Sequence, residues 1–246
     1  MDDKDFLGYF TLLGNQNTDK IKSASSNIVS TLLALDSKMG RKVSMDFEES
    51  KEKELAEAAL KKKYMTGDLG KDMTPDLNYT LKRLVRGLIS DNHAVKRGFF
   101  LASVQTLARF KDAIEFQKYI DFINEETKTS EGMKNPEIHS IQMGRMMCLT
   151  AIVECEWTLK NDNLTVLVQG LLNIHEAQEH LREAIQTTLV KILKNTTKSV
   201  KVFDFIVKKL LVGSEPDSKV DEGKCFSSSS RLSLFLIFRK IYRQKF

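Results

Sequence analysis

The side chains with the clearest chemical potential lie between Asn78 and Phe100, in NYTLKRLVRGLISDNHAVKRGFF. Lys82, Arg83, Arg86, Lys96 and Arg97 stand there against a single acid, Asp91. Cations so close together repel one another, so they must either be spread over solvated helix faces or be held near an anion. Leu81, Leu84, Val85 and Leu88 follow helical spacing, and the same geometry puts Lys82, Arg83 and Arg86 on the opposite, outward arc. Asp91 stands where it would N-cap a second helix running to about Phe110, which would leave its carboxylate occupied. A hairpin built this way gathers the five charges near one edge. We expect that edge to contact DNA or RNA phosphate, with Arg83 and Arg86 pointing most directly outward. On this reading, changing both arginines to Glu leaves the thermal midpoint nearly unchanged and weakens nucleic-acid binding. The competing reading is an ordinary solvated face.

Other chemistries find little support. The four histidines, His93, His139, His175 and His180, form neither HxxxH nor HExxH and have no cysteine at ligand spacing. His175 and His180 are read as surface or cap residues, so no metal site is expected. Cys148, Cys155 and Cys225 are odd in number and lack CxxC spacing, so reduced thiols are expected. Cys148 and Cys155 are seven apart and suit the core side of one helix. No GxxxxGK[ST], GxGxxG or GxSxG motif is present to hold a nucleotide or a nucleophile. Glu125–Glu126 and Glu154/Glu156 diverge on helices, whereas two-metal nucleotidyl transfer needs converging carboxylates. We expect no catalytic residue, no cofactor and no small-molecule substrate.

The elements that must position the cluster are helical. The chain has 246 residues, 41% hydrophobic and 29% charged, with 12 glycines and 3 prolines. That scarcity of turn-formers favours helices joined by short connections. Pro75, Pro136 and Pro216 are read as loop residues. Net charge is +5, which permits nucleic acid or an acidic protein as partner. No apolar run approaches the ~20 residues of a membrane span, and the acidic opening MDDKDF is no secretory signal, so no membrane role is expected.

A first helix and a second helix recur as a unit. An apolar–cation pair opens the second helix at Val95-Lys96 and Leu181-Arg182, and the pattern returns loosely at Ile21-Lys22. The intervals between these pairs each hold two hairpins of the HEAT type, whose period is roughly 40–47 residues. The expected fold is therefore all-α, a HEAT/armadillo-like α-solenoid of stacked helical hairpins over residues 1–212. Helices are expected over Asn163–Ile174, Glu176–Leu193, Glu115–Glu126, Ile138–Glu156, Lys198–Val212 and Phe47–Lys63. Residues 213–246 read as a linker and tail. Its last stretch is either a basic amphipathic helix or the product of a truncated or misspliced gene. Gly87 and Gly98 are read as marks of close helix packing.

The cluster also resembles a known family. Tyr79, Leu81, Lys82, Arg83, Leu84, Arg86, Gly87 and Leu88, then Ala94, Arg97, Gly98 and Phe99, are similar to the signature of the nucleolar DNA polymerase phi family. A second block, with Met133, Lys134, Glu137, Gly144, Arg145, Leu149 and Ala151, is similar to another of its segments. Asn135-Pro136 and Cys148 depart from that pattern. The resemblance covers roughly the first two hundred residues and implies an N-terminal portion of longer proteins with acidic and basic tails. It implies a non-enzymatic helical scaffold in the nucleus and nucleolus. Its role would be to support ribosomal RNA gene transcription and ribosome biogenesis. Partners would be ribosomal DNA or pre-rRNA and nucleolar or transcription proteins. The alternative is a protein-binding transcriptional co-regulator, with genuine DNA polymerase activity a third reading.

Overall fold

The computed structural model describes residues 3–39, 67–71, 73–157 and 159–195. Every regular element among them is helical. The helices expected at Phe47–Lys63 and Lys198–Val212, together with Pro216, Cys225 and the tail, lie outside the described residues. Contacts divide the chain into two units, Met1–Trp157 and Thr158–Phe246.

In the first unit, α1 spans Asp3–Leu13, α2 Thr18–Met39, α3 Pro75–Ile89, α4 His93–Phe110, α5 Phe116–Glu126 and α6 Asn135–Glu154. Four of these starts have a local cause. The Asn17 side chain accepts from the backbone N–H groups of Asp19 and Lys20 at 2.9 and 3.3 Å, which caps α2. Thr74 accepts from Leu77 N, and Pro75 opens α3 with its φ already helical. Pro136 likewise lies in the first turn of α6, where Glu137 reaches back to accept from Lys134 N at 3.1 Å. Both prolines therefore open helices, where a missing N–H has no cost, and are not the loop residues expected. The cap of α4 is Asn92, whose Oδ1 accepts from Ala94 N and Val95 N at 2.9 and 3.4 Å. Asp91 is exposed and lies one residue too early for that role.

α4 is the central element, packed against α1, α2, α3 and α6. Leu81, Leu84, Val85 and Leu88 of α3 are fully buried, as their spacing predicts. Close approach needs glycine at the crossings. A Cβ at Gly87 would overlap the Phe99 ring, one at Gly98 the Leu13 carbonyl, and one at Gly144 would sit 2.6 Å from the Leu88 carbonyl oxygen. Gly87 and Gly98 mark close packing, as expected. Cys148 and Cys155 are buried core residues, although Cys155 caps α6 and does not lie within it.

In the second unit, α7 spans Asn161–Ala177 and α8 spans Arg182–Asn195. The helix expected from Glu176 is interrupted, because Gln178 leaves helical geometry and a short 3₁₀ turn covers Glu179–Leu181. The pair packs through Leu164, Leu167, Val168, Leu171, Ile185, Leu189 and Ile192. His175 is buried at the end of α7, 3.4 Å from Gln186, and is not a surface residue. Its position follows from Leu171 and Ile174, whose stripe it shares.

Replacing Leu84 by Asp should cost about 3–5 kcal/mol, because a lone carboxylate would enter fully apolar packing. Chemical denaturation checks it, and a parental midpoint would show that this face is not core.

Candidate basic interface

The five sequence-predicted cations do not form one outward ridge. Lys82, expected on the outward arc, and Lys96, expected at the shared edge, are each 2% exposed. The wrong assumption was that the face opposite the Leu81 stripe is solvent. Other elements cover it, and a lysine stem four carbons long adds to the packing when its head finds acceptors.

Lys82 reaches back to the segment before α3. Its Nζ donates to the Gly67 carbonyl at 2.6 Å and stands 5.8 Å from the centre of the Phe122 ring on α5. Asn78, one turn earlier, holds the same segment. Its Nδ2 donates to Asp68 Oδ1 at 3.2 Å, and its Oδ1 accepts from Leu69 N at 3.3 Å. Burial pulls the Lys82 pKa below the usual lysine value, with the Asp68 carboxylate opposing and Arg86 reinforcing the shift.

Lys96 ties α4 to α6. Its Nζ donates to Ser140 O at 2.7 Å and to Ser140 Oγ at 3.0 Å. The Ser140 hydroxyl is also within reach of Ile89 O, the last carbonyl of α3, and of Ser90 O just beyond it. Burial again lowers the lysine pKa, and Asp91 opposes it. The same desolvation pushes the nearby Cys148 thiol up to about 12.

Arg86 is half-buried in a two-bond ion pair with Glu126, Nε to Oε2 at 2.9 Å and a terminal nitrogen to Oε1 at 2.6 Å. The pair rests beside the Phe122 ring, 5.7 Å from the guanidinium carbon. Arg83 lies over Phe10 of α1 at 4.6 Å and donates to the Tyr79 hydroxyl. Phe10 in turn meets Phe99 at 6.3 Å, so Arg83 is tied into the α1–α3–α4 contact. Arg97 is exposed and donates to Gln16 O at 3.2 Å. The sequence reading missed Glu126 and Phe122 because they arrive from α5, about forty positions away. It also missed Asn78, whose polar side chain sits at a buried position.

Elsewhere, no group of three or more His, Cys, Asp or Glu able to hold a metal occurs among the described residues. Within the same bounds, no helix is long and apolar enough to cross a membrane.

Lys96→Met and Lys82→Met should each lower stability by about 1–3 kcal/mol, because the part-buried bonds from the lysine heads to the Ser140 and Gly67 carbonyls are lost. Replacing a solvated lysine shifts stability by no more than ~0.5 kcal/mol, so denaturation midpoints decide. The same lysines set a pH slope. A folded pKa below the unfolded 10.5 means that the unfolded chain holds more protons between those values, so this contribution to stability rises with pH there. Cys148 acts oppositely, since its folded pKa is raised. The lysine slope is therefore read as the difference between parent and Lys→Met variant across the alkaline range, and parallel curves would contradict it. Changing Arg83 and Arg86 together to Glu should now lower the thermal midpoint, contrary to the sequence-based expectation, because both have partners within the fold.

The first helix of this cluster is also where the match to a family model begins. A Danio rerio protein described as "Myb-binding protein 1A-like protein" is 28% identical over 130 residues, 52% of this chain and 10% of the relative. The chain thus spans a small part of that relative's length. No solved structure matches. The family model for DNA polymerase phi matches residues 79–245, so it starts at Tyr79 on α3 and continues through the tail that the sequence reading left outside the resemblance. With the signature block folded as α3 and α4, and the match extending over more than half of its residues, the chain belongs to the DNA polymerase phi family.

Proposed function

We propose that this chain is a non-enzymatic helical scaffold of the nucleolus that supports ribosomal RNA gene transcription and ribosome biogenesis. Its hairpins stack as a HEAT/armadillo-like α-solenoid, and it offers side-chain surfaces to nucleic acid and protein partners. One observation carries the scaffold reading. The most recognisable block of the family, Tyr79–Phe99, places its cations on carbonyls, an acid and aromatic rings of this same chain. Those contacts join α1, α3, α4, α5 and α6, which is what an architectural role requires.

The same observation bears on catalysis. Glu126, which α5 brings to Arg86 of the cluster, is already neutralised by a two-bond arginine pair. A carboxylate so held is poorly placed to bind magnesium as well. Nucleic-acid contact, on this proposal, rests on exposed Arg97 and on the half-exposed edges of Arg83 and Arg86. Lys82 and Lys96 support the hairpin from within.

The second reading, a protein-binding transcriptional co-regulator, gains from the commitment of those cations and from the Myb-binding description of the Danio rerio relative. Crosslinking in cells, with sequencing of bound nucleic acid, separates the two. Recovery of pre-rRNA or ribosomal gene sequence is expected, and protein crosslinks alone would favour the co-regulator. Purified protein given primed template, magnesium and nucleotides should not extend the primer. Extension that survives repurification and vanishes on changing one carboxylate would overturn the scaffold.

A further inference from the structure

Residues Gly67–Gly70 belong to no helix and are held as a bound peptide is held. Most of the bonds that fix them go to backbone atoms. Lys82 Nζ donates to the Gly67 carbonyl at 2.6 Å, and Asn78 Nδ2 donates to the same oxygen at 3.5 Å. Asn78 Oδ1 accepts from Leu69 N at 3.3 Å. The Leu69 carbonyl accepts at 2.9 Å from the N–H of Glu115, the residue that precedes α5. One side-chain bond is added, from Asn78 Nδ2 to Asp68 Oδ1 at 3.2 Å. Backbone bonds of this kind hold an extended segment whatever its sequence, and pockets then choose its side chains.

The groove between α3 and the start of α5 is selective in that way. Leu69 is 3% exposed, so there is a pocket for one branched apolar side chain. A Cβ on Gly70 would overlap the Ala113 carbonyl, in the 3₁₀ turn Lys111–Ala113 ahead of α5, so glycine alone fits there. Gly67 has φ +81°, which glycine adopts without steric cost. The Asp68 carboxylate favours the charge on Lys82, so an acid suits the second position. The groove therefore reads Gly-Asp-Leu-Gly. Gly67, Asp68 and Lys71 are exposed, so the outer edge of the segment is open to a competitor. Held by one buried side chain and a few bonds, the segment stands at the weakly held end of the structure.

We propose that this groove is a peptide-recognition site, that Gly67–Gly70 fills it in cis as an internal strap, and that its external ligand is an extended Gly-Asp-Leu-Gly segment of a partner protein. The occupant is read from the contacts, because the groove is seen with this chemistry in place. The proposal rests on the protein-binding part of the function proposed above and names the sequence such a partner presents. Thr74 caps α3 only four residues after Gly70, so a lifted strap stays close and competes as an intramolecular ligand. The parent chain's apparent affinity is lowered to the extent that the strap is closed.

The test uses the full chain, amide hydrogen exchange and a labelled peptide containing Gly-Asp-Leu-Gly. Control peptides carry Asp in place of the leucine, or Ala in place of the glycine that follows it. In the parent, the Leu69 and Glu115 amides should exchange together and well before that of Leu84 in the core of α3. Loss of protection at all three in a single step would make the strap a permanent part of the fold and overturn the proposal. Leu69→Asp and Gly70→Ala loosen the strap and leave the groove walls unchanged. Each should bind the peptide roughly tenfold more tightly than the parent does. The control peptides should not bind, and adding Asn78→Ala should abolish the gain. Equal binding by parent and variants, or binding of a control peptide, overturns the proposal. Self-association of the parent that Leu69→Asp abolishes also overturns it, by assigning the groove to a second copy of this chain. If either variant fails to fold, the exchange pattern of the parent decides alone. Protein crosslinks in cells that Gly70→Ala leaves unchanged, beside a negative peptide result, overturn this groove alone and leave the protein-binding reading standing.

Discussion

A charged ammonium group taken out of water must be given acceptors, and the first unit of this protein is arranged around two such groups. Lys96 finds its acceptors on Ser140 of α6, and Lys82 finds one at Gly67, ahead of α3. Each lysine therefore ties together segments far apart in the chain. The tie has direction, because a carbonyl oxygen 2.6–2.7 Å from Nζ fixes the position of its backbone as an apolar contact would not. Apolar burial supplies most of the stabilisation, while these bonds help decide which backbone meets which.

Such ties require the helices to come close. Gly87, Gly98 and Gly144 sit where a Cβ would meet the Phe99 ring, the Leu13 carbonyl or the Leu88 carbonyl. The lysines bridge short gaps because the glycines made the gaps short. Helix capping adds a third constraint. Asn92 ends the turn after Ser90 and sets the phase of α4, which directs Lys96 toward α6 and Arg97 toward solvent. Glycine, cap and lysine thus act on the same crossing, each through different physics.

The arginines divide by how fully their charge is answered. Arg86 has an acid, and Arg83 has an aromatic face and a hydroxyl, whereas Arg145 has one amide oxygen and a buried donor that finds no partner among the described residues. Guanidinium is tolerant of such settings because it is weakly hydrated and cannot shed its proton. The sequence cluster that first drew notice is the better-satisfied group.

What the sequence by itself determined was periodicity and local chemistry. The stripe Leu81, Leu84, Val85 and Leu88 is buried as its spacing required, α4 ends at Phe110 as expected, and Gly87 and Gly98 mark packing contacts. These follow from interactions a few residues long, which the order of residues specifies directly. Two local errors were also legible in retrospect. Asn92 is as good a cap as Asp91 and lies one step closer to the helix, and Pro75 and Pro136 suit a first turn as well as a loop. The environment of the cations was not legible. A helix has two faces, and whether the second meets water or another helix depends on elements many residues away. Glu126, Phe122 and Ser140 reach the cluster only through the packing of α5 and α6, so only the tertiary structure decided which charges are buried, which are paired and which remain at the surface.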